Sequence, residues 1–254
     1  MTREIQPFDA VKTEGPEGRS PVLFLCEHAS RAFPESFGEL GLTEEVRQSH
    51  VAWDPGALPV AQNLARTFDA PLVRGAVSRL LYDCNRPPEA ADAVPAKSEI
   101  FEIPGNIGLS EQERQRRVDL IYRPFCTAVD TAVAEAQPLA IVTVHSFTPV
   151  YFGKPRAVEI GLLHDTDSRL ADAMLDRSGK VELKVARNQP YGPGDGVMHS
   201  LRLHAESRGL LNVMIEIRND LVAQEDAQER VAGDLATLLE SAFAKCGVSR
   251  ETTS

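Results

Sequence analysis

Hydrophobic positions in this chain gather in three dense blocks, and each block runs straight into a side chain able to bind a metal or move a proton. Residues 21–26 (PVLFLC) lead into Glu27 and His28, residues 139–144 (LAIVTV) into His145 and Ser146, and residues 210–215 (LLNVMI) into Glu216. Apolar runs of this length with few polar interruptions read as strands buried on both faces, the habit of parallel sheets covered by helices on either side. Shorter strands are predicted near 71–75, 79–83, 157–163 and 181–186. Helical patterning runs from about Thr43 to Phe68 with a break at Pro55 and Gly56, and again over 168–178 and 197–208. Ser110-Glu111-Gln112-Glu113 is a capping-box pattern and opens a helix to about Gln137. In the last helix, about 224–245, Val231, Leu235, Leu238, Leu239, Ala242 and Phe243 fall on one stripe, the mark of a core-facing side. Strands alternating with helices predict an α/β fold: a single domain with a mixed, mostly parallel sheet flanked by helices.

That domain is expected over residues 21–246, behind a loose, polar, Gly/Pro/Glu-rich arm at 1–20. Residues 87–109 hold four prolines and two glycines with little periodicity. A loop this long in a compact domain borders or covers a site more often than it idles. The formal charge of -10 repels phosphates, so neither nucleic acid nor an anionic membrane surface is an expected partner. No apolar run approaches the about 20 residues that span a bilayer. The start, MTREIQPFDA, lacks the apolar core of a signal peptide, and the four cysteines are widely spaced with no CxxC pair. A reduced, cytoplasmic setting is the expectation.

In open α/β sheets, sites lie just beyond the carboxyl ends of the strands. Two histidines and a carboxylate delivered there point to a divalent metal with an acid–base group beside it. Zinc in a catalytic site takes about three protein ligands and keeps one position open for water. His28 and His145 are the candidate histidines, and a carboxylate must join them. Asp54, in HVAWDPGA, is the choice, although its place before Pro55 also suits a helix N-cap. Glu27 is a buried ion-pair partner or an alternative ligand, and His50 a further alternative. Glu216 is placed to take a proton from water and return it to a leaving amine; its other reading is an ion pair with Arg218, itself a candidate substrate-binding cation.

Arg79 and the run Asp83-Cys84-Asn85-Arg86 supply positive charge and amide groups. An Arg fork with an Asn amide holds a carboxylate bidentately, and a further Arg polarises a carbonyl. Tyr191, in the turn-rich segment 188–196, is a candidate substrate contact. His199 and His204 are five residues apart and do not share a helix face, so one of them at most reaches the site, and His204 is the choice.

These residues resemble the N-formylglutamate amidohydrolase (deformylase) family over about residues 20–240. The likeness rests on EHAS (27–30), HVAWDPGA (50–57), SRLLYDCNRPP (78–88), VHSF (144–147), NQPY (188–191) and the stretch from His204 to IEIRNDL (215–221). The resemblance implies an α/β core like that of zinc carboxypeptidases and aspartoacylases. It implies one zinc held by His28 and His145 and Glu216 as base. It also gives Arg79 the amide carbonyl and Asn85 and Arg86 the substrate carboxylate. The related enzymes take a second ligand from H-x-x-E, whereas Arg31 is the third residue after His28 here, so that ligand comes from elsewhere. The EHAS and IEIR forms also differ from the PHSG-type sequences of dedicated deformylases, which widens the expected substrate from N-formylglutamate to other short N-acyl amino acids. Two other chemistries use the same residues: a metal-independent hydrolase built on Ser146 or Cys26, and a silent binder of acidic small molecules.

Overall fold

A computed structural model describes residues 8–248. Its centre is a seven-stranded sheet in the order β1-β3-β2-β6-β11-β9-β10. The strands are β1 (Val11–Glu14), β2 (Val22–Cys26), β3 (Leu72–Gly75), β6 (Ala140–Phe147), β9 (Ile160–Leu163), β10 (Val185–Arg187) and β11 (Leu211–Arg218). Two small hairpins lie outside it, β4 (Lys97–Ser98) with β5 (Phe101–Glu102), and β7 (Val150–Tyr151) with β8 (Lys154–Pro155). β3, β2, β6 and β11 run parallel, while β1 and β9 join the edges antiparallel and β10 runs parallel to β9. The sheet is therefore mixed and mostly parallel, in an α/β domain as the patterning predicts.

The helices are α1 (Glu44–Gln48), α2 (Ala57–Phe68), α3 (Glu111–Arg117), α4 (Arg123–Ala136), α5 (Arg169–Leu175), α6 (His199–His204) and α7 (Glu225–Cys246). Strand side chains alternate between faces. Val22, Phe24, Val142, Val144, Val213 and Ile215 pack beneath α2, α5 and α7. Leu23, Leu25, Val73 and Ile141 face α4, and Met214 faces Leu201 of α6. The two layers explain why the central strands carry no regular polar alternation. The Ser110 capping box forms as predicted, its hydroxyl accepting from Glu113 N. Between α3 and α4 the helix widens into a π turn at Val118–Tyr122 just ahead of Pro124, whose ring nitrogen cannot continue the ladder.

Three local expectations change. Part of the supposed N-terminal arm, Val11–Glu14, is an edge strand paired with β3. Residues 79–83 are turns and irregular chain rather than a strand: Leu80 and Leu81 are buried, but Leu81 N bonds to Ser78 O and Leu80 N to the Ser78 hydroxyl, closing tight turns. Segment 87–109 contains a hairpin and 3-10 turns.

The crossover from β2 through α2 reaches β3 on one side of β2, and the next, through α3 and α4, reaches β6 on the other. The strand order thus reverses beside β2, and a crevice opens past the carboxyl ends of β2 and β6. Gly75 ends β3 against this crevice. A Cβ there would lie 2.1 Å from the Glu27 carbonyl oxygen, one residue before His28. Gly75→Ala is therefore expected to cost at least about 2 kcal/mol in urea unfolding, and to weaken metal binding in whatever fraction folds; unchanged stability would mean that the two chains do not approach so closely.

Candidate metal centre and its pocket

β6 and β11 pair in register so that His145 and Glu216 are direct neighbours. Leu25 of β2 pairs with Thr143 on the other side of β6, which brings Glu27, two residues on, level with His145. Glu27, His145 and Glu216 form one row across three adjacent strands on the α4/α6 side of the sheet, all at most 5% exposed. His28 follows where the chain leaves β2. Asp54 enters from the turn Trp53-Asp54-Pro55-Gly56, where Gly56 adopts φ 79° and packs so closely on Val222 that a Cβ would come within 2.5 Å. The Asp54 side chain does not cap α2; it turns inward.

Asp54 Oδ2 lies 2.9 Å from His145 Nδ1 and 3.3 Å from His28 Nδ1, and the two Nδ1 atoms are 3.2 Å apart. Tetrahedral donors at about 2.0–2.2 Å from an ion sit roughly 3.3–3.6 Å from one another, close to this triangle. The far sides of the rings show which atoms face in. His28 Nε2 is 2.7 Å from Asp83 Oδ1, so its N–H donates there and its Nδ1 is the nitrogen turned to the triangle. His145 Nε2 lies 3.1 Å from Glu27 Oε2, an ion-pair contact set obliquely to the ring N–H. Two imidazole Nδ1 atoms and a carboxylate oxygen converging at this spacing fit a cation. His28, Asp54 and His145 thus offer a ligand set for a metal ion.

Charge around the triangle is arranged to match. Arg79 donates from Nη2 to Asp83 Oδ2 at 2.5 Å and from Nη1 to Asp54 Oδ1 at 3.3 Å. Burial works to raise the Asp83 carboxyl, but Arg79 and His28 outweigh it and hold it well below the usual range. Asp54 is also held low, burial being outweighed by the two histidines. Glu216 goes the other way. Burial pushes it up to about 7, and its Oε2 has no protein hydrogen-bond partner.

The triangle opens into a pocket of about 430 Å³ that Arg79, Asn85, Arg86, Tyr191 and Glu216 also line. Arg86 pairs through Nε with Asp92 at 2.9 Å, and its buried Nη1 has no protein partner. Asn85 borders the pocket, yet its amide serves the protein: Nδ2 donates to Val197 O at 2.6 Å and Oδ1 accepts from Ser200 N at 2.9 Å. The Tyr191 hydroxyl accepts from Arg156 Nη1 at 3.0 Å. His50 is in the wall, paired with Glu99 at 2.8 Å and outside the triangle. Two expected contacts lie elsewhere. His204 is buried beneath α6 beside Asp130, because its helix turns that face to the sheet. Arg218 binds Glu159 and Asp220 and donates to the Arg156 carbonyl, behind the pocket wall and not to Glu216. Ser146 Oγ donates to Pro55 O at 2.8 Å, and Cys26 is wholly buried in the core under α2, so neither is presented as a nucleophile.

Two contributors escape sequence reasoning. Asp83 stood out only as part of a basic, amide-rich run, whereas it orients His28 and anchors Arg79. Arg156 is boxed by the rings of Phe147, Tyr151 and Tyr191 at 4.5–5.5 Å, a grouping assembled from the end of β6, strand β7 and the segment 188–196 that no local pattern discloses.

Fold and site together define an α/β protein with a buried His–Asp–His donor triangle at the switch point of its sheet. The chain belongs to the N-formylglutamate amidohydrolase family, whose model matches residues 20–223. The crystal structure of a gene product from Agrobacterium tumefaciens is similar at 53% identity, with a TM-score of 0.92, covering 94% of this chain and 97% of that one. The crystal structure of an N-formylglutamate amidohydrolase from Ralstonia eutropha JMP134 shares the fold at 21% identity and a TM-score of 0.61, covering 94% of this chain and 99% of that one. No curated protein matches the chain. Among the described residues no helix is long and apolar enough to cross a membrane.

Elemental analysis of purified protein is expected to find one divalent ion per chain, lost in His145→Ala and kept in His50→Ala. Equal retention in both variants would place the ion outside the triangle.

Proposed function

We propose that the protein is a zinc-dependent amidohydrolase that cleaves the N-acyl amide of an N-formyl or other short N-acyl amino acid, with residues 21–246 as its catalytic unit. The observation that carries this reading is the convergence of His28 Nδ1, His145 Nδ1 and Asp54 Oδ2 beside a carboxyl raised to about 7. Family membership supports the reaction class. When bound, zinc supplies Lewis acidity and a water of lowered pKa.

The chain's own groups do the rest. Glu216, register neighbour of His145, takes a proton from the attacking water and delivers it to the departing amine. Arg79 spends one N–H on Asp54 and one on Asp83, and its fork retains further donors for the carbonyl oxygen as charge grows there. The free Nη1 of Arg86 holds the substrate carboxylate, while Asn85 steadies the adjoining chain. Asp83 fixes the His28 ring, so the partner of a ligand, the arginine and the substrate clamp share one short segment, 79–86.

Glu216 must be ionised to accept a proton. Since burial raises its pKa to about 7 and a bound dication opposes that rise, kcat/KM should climb with pH through a value between the ordinary 4.5 and about 7. Assayed by release of free amine from N-formyl amino acids, Glu216→Gln should lose about 10²–10⁴-fold in kcat together with this acidic limb. Activity retained in Glu216→Gln, or turnover indifferent to a chelator, would sink the mechanism.

A further inference from the structure

Behind the pocket, the α4/α6 face of the sheet carries polar side chains where a core is expected. Thr143 stands two residues before His145 on β6, and Asn212 stands opposite Ile141 on β11. Both are fully buried, on the same face as Leu25 and Ile141. Across from them α6 presents Ser200 and His204, four residues apart and so on one helix face, each 1% exposed. The two walls keep step. Same-face strand residues repeat at about 6.6 Å and one helical turn rises about 5.4 Å.

Hydrogen bonds are in short supply along this seam. Thr143 Oγ1 and Asn212 Oδ1 are buried without a protein hydrogen bond, while the Glu27 carboxylate has only its oblique contact to His145 and the Ser200 hydroxyl, and His204 Nδ1 a long contact to Asp130. Asn212 spends only its Nδ2, on Leu210 O at 3.2 Å. A buried hydroxyl and a buried amide oxygen left unpaired cost stability, whereas an internal water with two to four polar partners removes that cost. The row has a surface end as well. His204 Nδ1 is 3.3 Å from Asp130 Oδ1, and the Asp130 side chain is 55% exposed. At the other end Ser200 neighbours Glu27, and the Glu27 charge reaches His204.

We propose that a file of internal water molecules occupies the seam between the central strands and α6, held by Thr143, Asn212, Ser200 and His204, and that Glu27, hydrated by this file, is a positioning residue that fixes the His145 ring toward the metal centre. Glu27 touches no substrate in this scheme; it acts through His145 Nε2 as Asp83 acts through His28 Nε2. The water file stands on the geometry of the seam alone, while the role of Glu27 rests on the metal reading above.

The test compares Thr143→Val, Thr143→Ser and Thr143→Ala with the parent chain. Two readouts are taken: thermal unfolding of chelator-treated protein, and zinc affinity by chelator competition. With water in the seam, Thr143→Val removes an anchor without changing side-chain shape. Its Tm falls, zinc binds several-fold more weakly, and Thr143→Ser restores both. A dry seam gives the opposite sign, because a methyl then replaces a hydroxyl that had no partner: Tm rises, zinc affinity holds, and the proposal is overturned. If Thr143→Val does not fold, Thr143→Ser against Thr143→Ala decides the matter: the serine variant is the more stable with water in the seam, the alanine variant with a dry one. Glu27→Gln is expected to weaken zinc about 10–100-fold, and unchanged affinity would overturn the role given to Glu27. A parent chain that binds no zinc would refute the metal reading, yet the Tm comparison would still decide the water file.

Discussion

Four carboxylates, two imidazoles and an arginine share one largely buried corner of this protein, and the rest of the structure answers to that concentration of charge. Glu27, Asp54, Asp83 and Glu216 are each at most 5% exposed, as are His28 and His145. Isolated ions of this kind are not tolerated in a protein interior. They persist because each is matched: Asp83 by His28 and Arg79, Asp54 by Arg79 and both rings, Glu27 by His145. Glu216 alone has nothing comparable, and its raised pKa is the consequence. The group least satisfied by the protein is the one best suited to exchange protons.

Apolar packing makes this tolerable. On one face of the sheet, α2, α5 and α7 bury an unbroken hydrocarbon layer, and the site takes nothing from it. All the chemistry is confined to the other face, where α6 and segment 79–106 replace a continuous helix layer. Arg79, Asp83, Asn85 and Arg86 come from turns rather than regular elements, which lets four side chains of one eight-residue segment line one pocket. A helix would have kept Arg79, Asp83 and Arg86 on one face and turned Asn85 to the other.

How much of this was legible depends on whether the signal is local. Three apolar blocks ending in His28, His145 and Glu216 declare buried strands and their carboxyl ends, because burial on two faces leaves a compositional trace and topology then decides where those ends meet. Asp54 was legible as a carboxylate near a helix start, and only the inward turn of its side chain separates ligand from cap. The antiparallel placement of β9 left no trace, since an apolar run has no direction. His204 and Arg218 were misplaced for a related reason: which face of a helix or end of a strand meets the pocket depends on partners remote in sequence. Asp83 was seen and given the wrong company. Its role becomes visible only when His28, 55 residues earlier, lies 2.7 Å away.

The row formed by Glu27, His145 and Glu216 carries a consequence for how such a sequence can diverge. Strand side chains alternate sides, so adding or deleting a single residue within β6 or β11 would carry its functional group through the sheet into the hydrocarbon layer under α2 and α7. No neighbouring residue could take its place, and the error would propagate to every position beyond it. Changes in length are therefore tolerable only in the connections, such as the two small hairpins at the rim, while the three central strands are held to a fixed count. Descendants of this architecture should vary by lengthening their borders and conserving the spacing of their middle.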